Sequence, residues 1–130
     1  MSTSQEEAME TKALSSQFTD LFNTGDREVA ETLLAPQVTF HGGSAGEFTT
    51  RDELLDMISD YRAMFPDARS TVDDQIAAGD RVVTRWKATG TGPNGKRYEL
   101  HGITIERIED GQIAEVWMNR DDVSMQQQLS

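Results

Sequence analysis

Cysteine is absent from the 130 residues. That excludes disulfide frameworks, thiolate zinc sites and a cysteine nucleophile. Histidine is scarce: the 2 that occur, His41 and His101, are far from any His-x-x-x-His spacing, so the pattern points to no metal site. Basic residues are also few, with 12 Lys and Arg against 23 Asp and Glu, a formal charge of −11. This is the wrong sign for a protein that tracks phosphates, and no Lys/Arg cluster offsets it, so nucleic acid is not an expected partner. An anionic membrane surface is disfavoured on the same ground. No run approaches the roughly 18 apolar residues of a transmembrane helix. The stretch Met1 to Glu7 is polar and acidic, unlike a signal or transit peptide. The expectation is a cytoplasmic protein whose acidity serves solubility or suits a high-salt cytoplasm.

What is present is economical. Only 36% of the chain is apolar, so the core must be lean. The length suits one domain, expected over residues 9–130 after a flexible acidic tail at residues 1–8. Met9, Leu14, Phe18, Leu21 and Phe22 fall at helical spacing, which predicts a helix from Glu7 to Asn23 with Gly25 as its stop. Asp26 caps a second helix, Arg27 to Leu34, halted by Pro36. Val38 to His41 reads as a short strand. Thr50-Arg51-Asp52-Glu53 fits a capping box and starts a third helix with a buried stripe of Leu54, Ile58, Tyr61 and Phe65.

After Pro66 the period becomes two. Strands are predicted over Arg69–Ala78, Arg81–Thr91, Lys96–Glu109 and Gln112 to about Arg120, separated by turns at Gly79-Asp80, Pro93-Asn94-Gly95 and Asp110-Gly111. A terminal helical turn is predicted over Met125–Leu129. Helices followed by an antiparallel meander make an α+β fold. A curved sheet wrapped against a long helix leaves a cone with an open end, a natural ligand site.

Several local runs point to one family: Phe22-Asn23-Thr24-Gly25-Asp26, Phe65-Pro66-Asp67, and Ala78 to Val83 with Arg85-Trp86. Thr89-Gly90-Thr91-Gly92 follows. The most specific run is Ile108-Glu109-Asp110-Gly111-Gln112-Ile113-Ala114-Glu115-Val116-Trp117, with Asp121 four residues on and Gln127-Gln128-Leu129 at the end. In these runs the chain resembles the SnoaL-like polyketide cyclases, or ester cyclases, of the nuclear transport factor 2-like superfamily. The resemblance extends from about Phe18 to Leu129. It implies a cone-shaped α+β fold, a curved antiparallel sheet wrapped around N-terminal helices, and a homodimer joined through the outer face of the sheet. It also implies cofactor-free acid/base chemistry on a hydrophobic, carbonyl-rich small molecule, in its sharpest form the intramolecular aldol cyclisation of a polyketide. An aspartate near the end of the last strand is the family's acid/base, and the matching position is Asp121. The superfamily also holds isomerases, hydroxylases, epoxide hydrolases and plain binding proteins, so function has to be argued from the site. One departure stands at the hairpin, where the family's longer stretch carries a histidine and this chain has Gly92 and Pro93.

Along the last strand Ile113, Glu115, Trp117, Asn119 and Asp121 share one face, and Ala114, Val116, Met118 and Arg120 the other. The first set mixes an indole, an amide and carboxylates, which suits a cavity wall. A carboxylate desolvated beside Trp117 would have a raised pKa fit to remove an α-proton; the competing reading is that Asp121 caps the terminal turn. His101 shares a face with Glu99, Ile103 and Ile105. It either donates to a developing enolate oxygen or is a half-exposed strand histidine held by a neighbour. His41, before the glycine loop, is the other oxyanion candidate. Tyr61, Trp117 and Asn119 are candidate substrate contacts, and Phe48 with Gly43 to Gly46 a candidate lip. Arg85 reads as an exposed cation balancing sheet-edge acids, and the run Asp73-Asp74 as a solvated strand edge. With Lys87 two residues after it, the Asp-Arg-Asp arrangement of the epoxide hydrolases is incomplete. A neutral or apolar ligand is expected over a polyanionic one.

Overall fold

The computed structural model describes residues 3–130. Helix α1 runs Ser4–Thr24, three residues ahead of the start read from apolar spacing. A capping box sets that start: Thr3 Oγ1 accepts from the Glu6 N–H, and the Glu6 carboxylate accepts from the Thr3 N–H. Residues 4–8 of the expected tail are therefore helical; residues 1 and 2 lie outside the described residues. Asp26 caps α2 (Arg27–Leu33) by accepting from the N–H groups of Glu28 and Val29.

Strand β1 (Leu34–His41) starts where α2 ends, four residues earlier than expected. Pro36 sits inside it. The strand tolerates Pro36 because the ladder to β6 (Gln112–Arg120) is interrupted between Leu34 and Thr39. On the other side, β2 (Glu47–Phe48) pairs only with Phe40 and His41. Helix α3 (Arg51–Met64) opens on Thr50, whose side chain accepts from the Glu53 N–H. The meander follows as β3 (Arg69–Ala78), β4 (Arg81–Thr91), β5 (Arg97–Glu109) and β6, and α4 (Asp122–Leu129) ends the chain. Asp110 and Gly111, at φ 52° and 75°, make the β5–β6 turn with both residues left-handed, which matches the twist of the two strands.

Among the described residues, four α-helices accompany a six-stranded sheet of order β2-β1-β6-β5-β4-β3. The sheet is mixed: β1 pairs in parallel with β6, and the other pairs are antiparallel. It is curved and unclosed, an α+β architecture. No described helix is long and apolar enough to cross a membrane.

Helices α1 and α3 cover the concave face. Phe18, Leu21, Leu54 and Ile58 are at most 2% exposed there, packed with Leu100, Ile113 and Val116 of the sheet. The apolar stripe read from spacing is buried in Phe18 and Leu21 and packs against the core through Leu14 and Phe22, but it does not extend to Met9, and polar residues share the buried side. Met9 is 66% exposed, and the buried residues are Thr11, Ser15, Phe18, Thr19 and Leu21. That half-polar face exists because it meets a buried carboxyl, Glu106 of β5, which is fully buried with Thr84 of β4.

Candidate functional site

Between α1, α3 and the concave face of β3–β6 lies a narrow, partly enclosed cavity of about 30 Å³. Phe18, Phe22, Met57, Trp86, Leu100 and Met118 give it apolar walls. Trp86 lies flat over Gly102, where an added Cβ would stand only 2.2 Å from the indole. This close approach lets the indole N–H reach Thr104 Oγ1 at 2.7 Å, so the buried donor is satisfied. A chain of aromatic contacts sets Tyr61: Phe22 meets it at 6.3 Å, Phe65 at 5.3 Å, and Phe65 in turn meets Tyr98 at 5.0 Å.

Tyr61 and Arg120 line the cavity, and Tyr98, outside the lining, bonds to Tyr61. The Tyr61 and Tyr98 hydroxyls hydrogen-bond at 2.7 Å. Burial pushes both phenols above their ordinary range, and the Arg120 charge works against that rise in each. Both tyrosines are therefore neutral hydroxyls at physiological pH. Arg120 is the one charged residue lining the cavity. Its Nε lies 2.7 Å from the Asp122 carboxylate, without the geometry of a good hydrogen bond, and Asp122 also accepts from Ser44.

Beneath this cavity, Ser15 Oγ sits 2.9 Å from both carboxyl oxygens of Glu106 and shares a hydrogen bond with Thr84. Gln75 donates to Thr84 Oγ1 at 3.1 Å. Burial, offset in part by the Ser15 hydrogen bonds, pushes Glu106 up to about 8. It does not line the cavity.

Of the residues singled out in the sequence, Tyr61 lines the cavity. A register shift near the start of β6 breaks the alternation: Ile113 is buried in the core, and beyond the shift Val116, Met118 and Arg120 point inward, whereas Glu115, Trp117 and Asn119 point to the convex side. Polar and aromatic side chains that looked like a cavity wall satisfy one another outside. His41 is bracketed by Glu47 at Nδ1 (2.9 Å) and Glu115 at Nε2 (2.8 Å), and stacks on Trp117 at 5.5 Å. The Glu115 hydrogen bond, with Glu47 adding to it, holds His41 above the usual histidine pKa. Arg81 covers the Trp117 ring at 5.1 Å, and Arg107 donates to Glu115 at 3.3 Å.

His101 also lies on the convex side, exposed, with Nε2 3.1 Å from Glu99. Asp121 is the N-cap of α4, accepting from the Ser124 N–H at 3.0 Å. With Asn119, Arg85 and His101 it borders an open depression on that face. Arg85 pairs there with Asp74 and Asp73. Phe48 stacks on Phe40 at 5.8 Å instead of forming a lip over the cavity. The two glutamates on His41 occupy opposite ring nitrogens, and among the described residues no three His, Asp or Glu side chains cluster to hold a metal ion.

Neither Arg120 as a lining residue nor Glu106 as a buried carboxyl was legible. The signal for Arg120 was a charge in register with Val116 and Met118; for Glu106 it was a carboxylate on the same strand face as Leu100 and Thr104.

Helices laid into an open α+β cone, with a cavity between helix and sheet, define a class of small-molecule pocket. The family model of SnoaL-like polyketide cyclases matches residues 12–129, and the chain belongs to that family. Among solved structures it is similar to wild-type IdmH, a proposed polyketide cyclase from Streptomyces antibioticus. The two share 32% identity over 92% of this chain and 97% of that one, with a TM-score of 0.83. It is also similar to a proposed polyketide cyclase from Bacillus cereus, at 28% identity, 98% and 85% coverage and a TM-score of 0.87. A nuclear transport factor 2-like protein from Burkholderia pseudomallei, 20% identical over 93% and 98% of the chains with a TM-score of 0.81, shows the fold alone. None of the curated proteins compared with the chain matches it.

Proposed function

We propose that this protein takes a hydrophobic, carbonyl-bearing small molecule into the helix–sheet cavity and performs cofactor-free acid/base chemistry on it, of the kind that closes a polyketide ring by aldol addition. The observation that carries the reading is the cavity's polarity: among apolar walls it is lined by Tyr61, whose hydroxyl bonds to that of Tyr98, and by Arg120. A carbonyl oxygen placed there meets hydrogen-bond donors that hold it more strongly as it gains enolate charge. Asp121, the residue after Arg120, is the proton carrier in this proposal, on the family resemblance. Its position outside the cavity, with one oxygen engaged by Ser124, favours a second reading in which the cavity binds its ligand without turnover.

Turnover of an aromatic poly-β-ketone ester separates the two. In the enzymatic reading Asp121→Asn keeps the fold and removes most turnover, and Tyr61→Phe lowers it about 10-fold or more. Full activity in the Asn variant removes Asp121 from the mechanism. Tight binding with no turnover in the wild type establishes the second reading.

The proposal includes a homodimer joined through the convex sheet face. Ile76, Val83, Ile105 and Trp117 lie in register across four strands there, and Ile76 is 71% and Ile103 48% exposed, which supports an apolar contact. Sedimentation equilibrium should give a dimer that Ile76→Asp with Ile103→Asp converts to monomer; a monomeric wild type removes the proposal.

A further inference from the structure

We infer that Glu106 is a proton-held latch: its neutral carboxyl seats α1 on the sheet, and its ionised form lets α1 lift and widens the cavity that α1 walls. The cavity gives the first reason. At about 30 Å³ it has room for a water or two, far below the roughly 300–1,000 Å³ of a ligand pocket, so a wall must move before a ring system enters. The sheet is the stiffer wall, since β5 is laddered to β4 on one side and to β6 on the other. Helix α1 supplies Phe18, Thr19 and Phe22 to the lining and meets the sheet through side chains.

The latch is one connected set of polar groups. Glu106 is fully buried between Val82 and Val116, its register partners on β4 and β6. Ser15 Oγ of α1 lies 2.9 Å from both its carboxyl oxygens and 2.5 Å from Thr84 Oγ1 of β4. Gln75 Nε2 of β3 donates to Thr84 Oγ1 at 3.1 Å and to the Lys12 carbonyl of α1 at 3.0 Å. No charged group pairs with the carboxyl. Lys12 enters the network through its carbonyl, Asp73 and Asp74 pair with Arg85, Arg81 covers Trp117, and Arg107 joins Glu109 and Glu115 on the convex side. Neutral, the carboxyl donates to Ser15, whose hydroxyl passes on to Thr84. Ionised, it sets a full charge between two valines with no cation to pair it, a cost that water relieves once α1 lifts. Burial accordingly pushes Glu106 up to about 8, against the pull of the Ser15 hydrogen bonds. Lifting returns the carboxyl to its ordinary range, so it becomes easier as pH rises and levels off above about 8.

Acrylamide quenching of the full chain reads the motion. The chain has 2 tryptophans, so Trp117→Phe leaves Trp86, 7% exposed in the cavity wall that α1 covers, as the sole reporter. Its quenching constant should rise about 3-fold or more between about pH 5 and about pH 9, while the far-ultraviolet circular dichroism stays constant. In the same background Glu106→Gln and Glu106→Leu cannot ionise and should keep the low constant throughout. The Leu variant, an apolar replacement for a buried acid, stands in should the Gln variant not fold. A quenching constant that stays flat with pH in the Glu106 protein overturns the inference. So does a rise that survives either substitution, or one that comes with loss of circular dichroism, since the whole chain is then unfolding. No ligand enters the measurement, so the small-molecule reading of the cavity stands or falls separately.

Discussion

The two faces of strand β6 carry opposite lessons. Its convex face holds Glu115, Trp117 and Asn119, the residue types most often read as chemistry. Its concave face holds Val116, Met118 and Arg120, which read as core with one stray charge. In the folded chain the convex groups are already paired: Glu115 with His41 and Arg107, Trp117 with His41 and Arg81. The concave face puts Arg120 at an apolar cavity that Tyr61 also lines, with its Nε buried and without a hydrogen-bond partner. A site is marked less by polar residue types than by polar groups whose bonding capacity is left open where water is scarce.

The contrast can be broken first by truncation. Phe18, 2% exposed at the floor of the cavity, should cost about 3–5 kcal/mol when replaced by Ala, measured by urea unfolding. Trp117→Ala on the convex face should cost under about 2 kcal/mol, since its contacts are one-sided. Equal costs would mean that the convex face is as much core as the concave one.

Glu106 sharpens the comparison through pH. Its folded pKa of about 8 lies above the ordinary 4.5, so between those values the native state holds a proton that the unfolded chain has released. Stability of the wild type should therefore fall as pH rises through that window and level off above about 8. Glu106→Gln cannot ionise and should lack the slope, ending about 1–3 kcal/mol ahead of the wild type near pH 8.5. Parallel stability–pH curves would show that the carboxyl is not held neutral.

The convex cluster should lose stability in the same direction, as pH rises, and more weakly. His41 is raised by Glu115 and Glu47, so its ion pairs contribute fully below the ordinary histidine pKa and are lost as pH rises through the raised value. Because all three side chains are partly exposed, His41→Gln should change stability by no more than about 1 kcal/mol at pH 6 and by less at pH 9. The smallest effect belongs to His101→Gln, within about 0.5 kcal/mol and without influence on ligand affinity in the cavity. A larger loss of affinity would return His101 to the site.

Most of the framework was readable along the chain. Turn chemistry at Gly79-Asp80 and Asp110-Gly111 and the period of two placed β3 to β6, and the Thr50 capping box placed α3. The Thr3–Glu6 capping box at the start of α1 carried the same kind of signal and was overlooked. Strand β1 was only half legible, because Pro36 reads as a stop and an interrupted ladder is invisible before β6 is beside it. The apolar half of the buried face of α1 was legible in Phe18 and Leu21; the burial of Ser15 was not, because it serves Glu106, a partner 91 residues away.

By itself, then, the sequence determined the α+β class, the order of strands in the meander, the family and the chemistry that lack of cysteine removes. All of these follow from local propensity, turn geometry and motif. Tertiary structure alone decided which face of each strand points inward. Alternation has a period of two and no sign: it separates two sets of side chains but cannot say which set the helices cover. The packing of α1 and α3 against β4–β6 made that choice. It put Trp117 and His101 on the outside and lined the helix–sheet cavity with Met118 and Arg120 beside Tyr61.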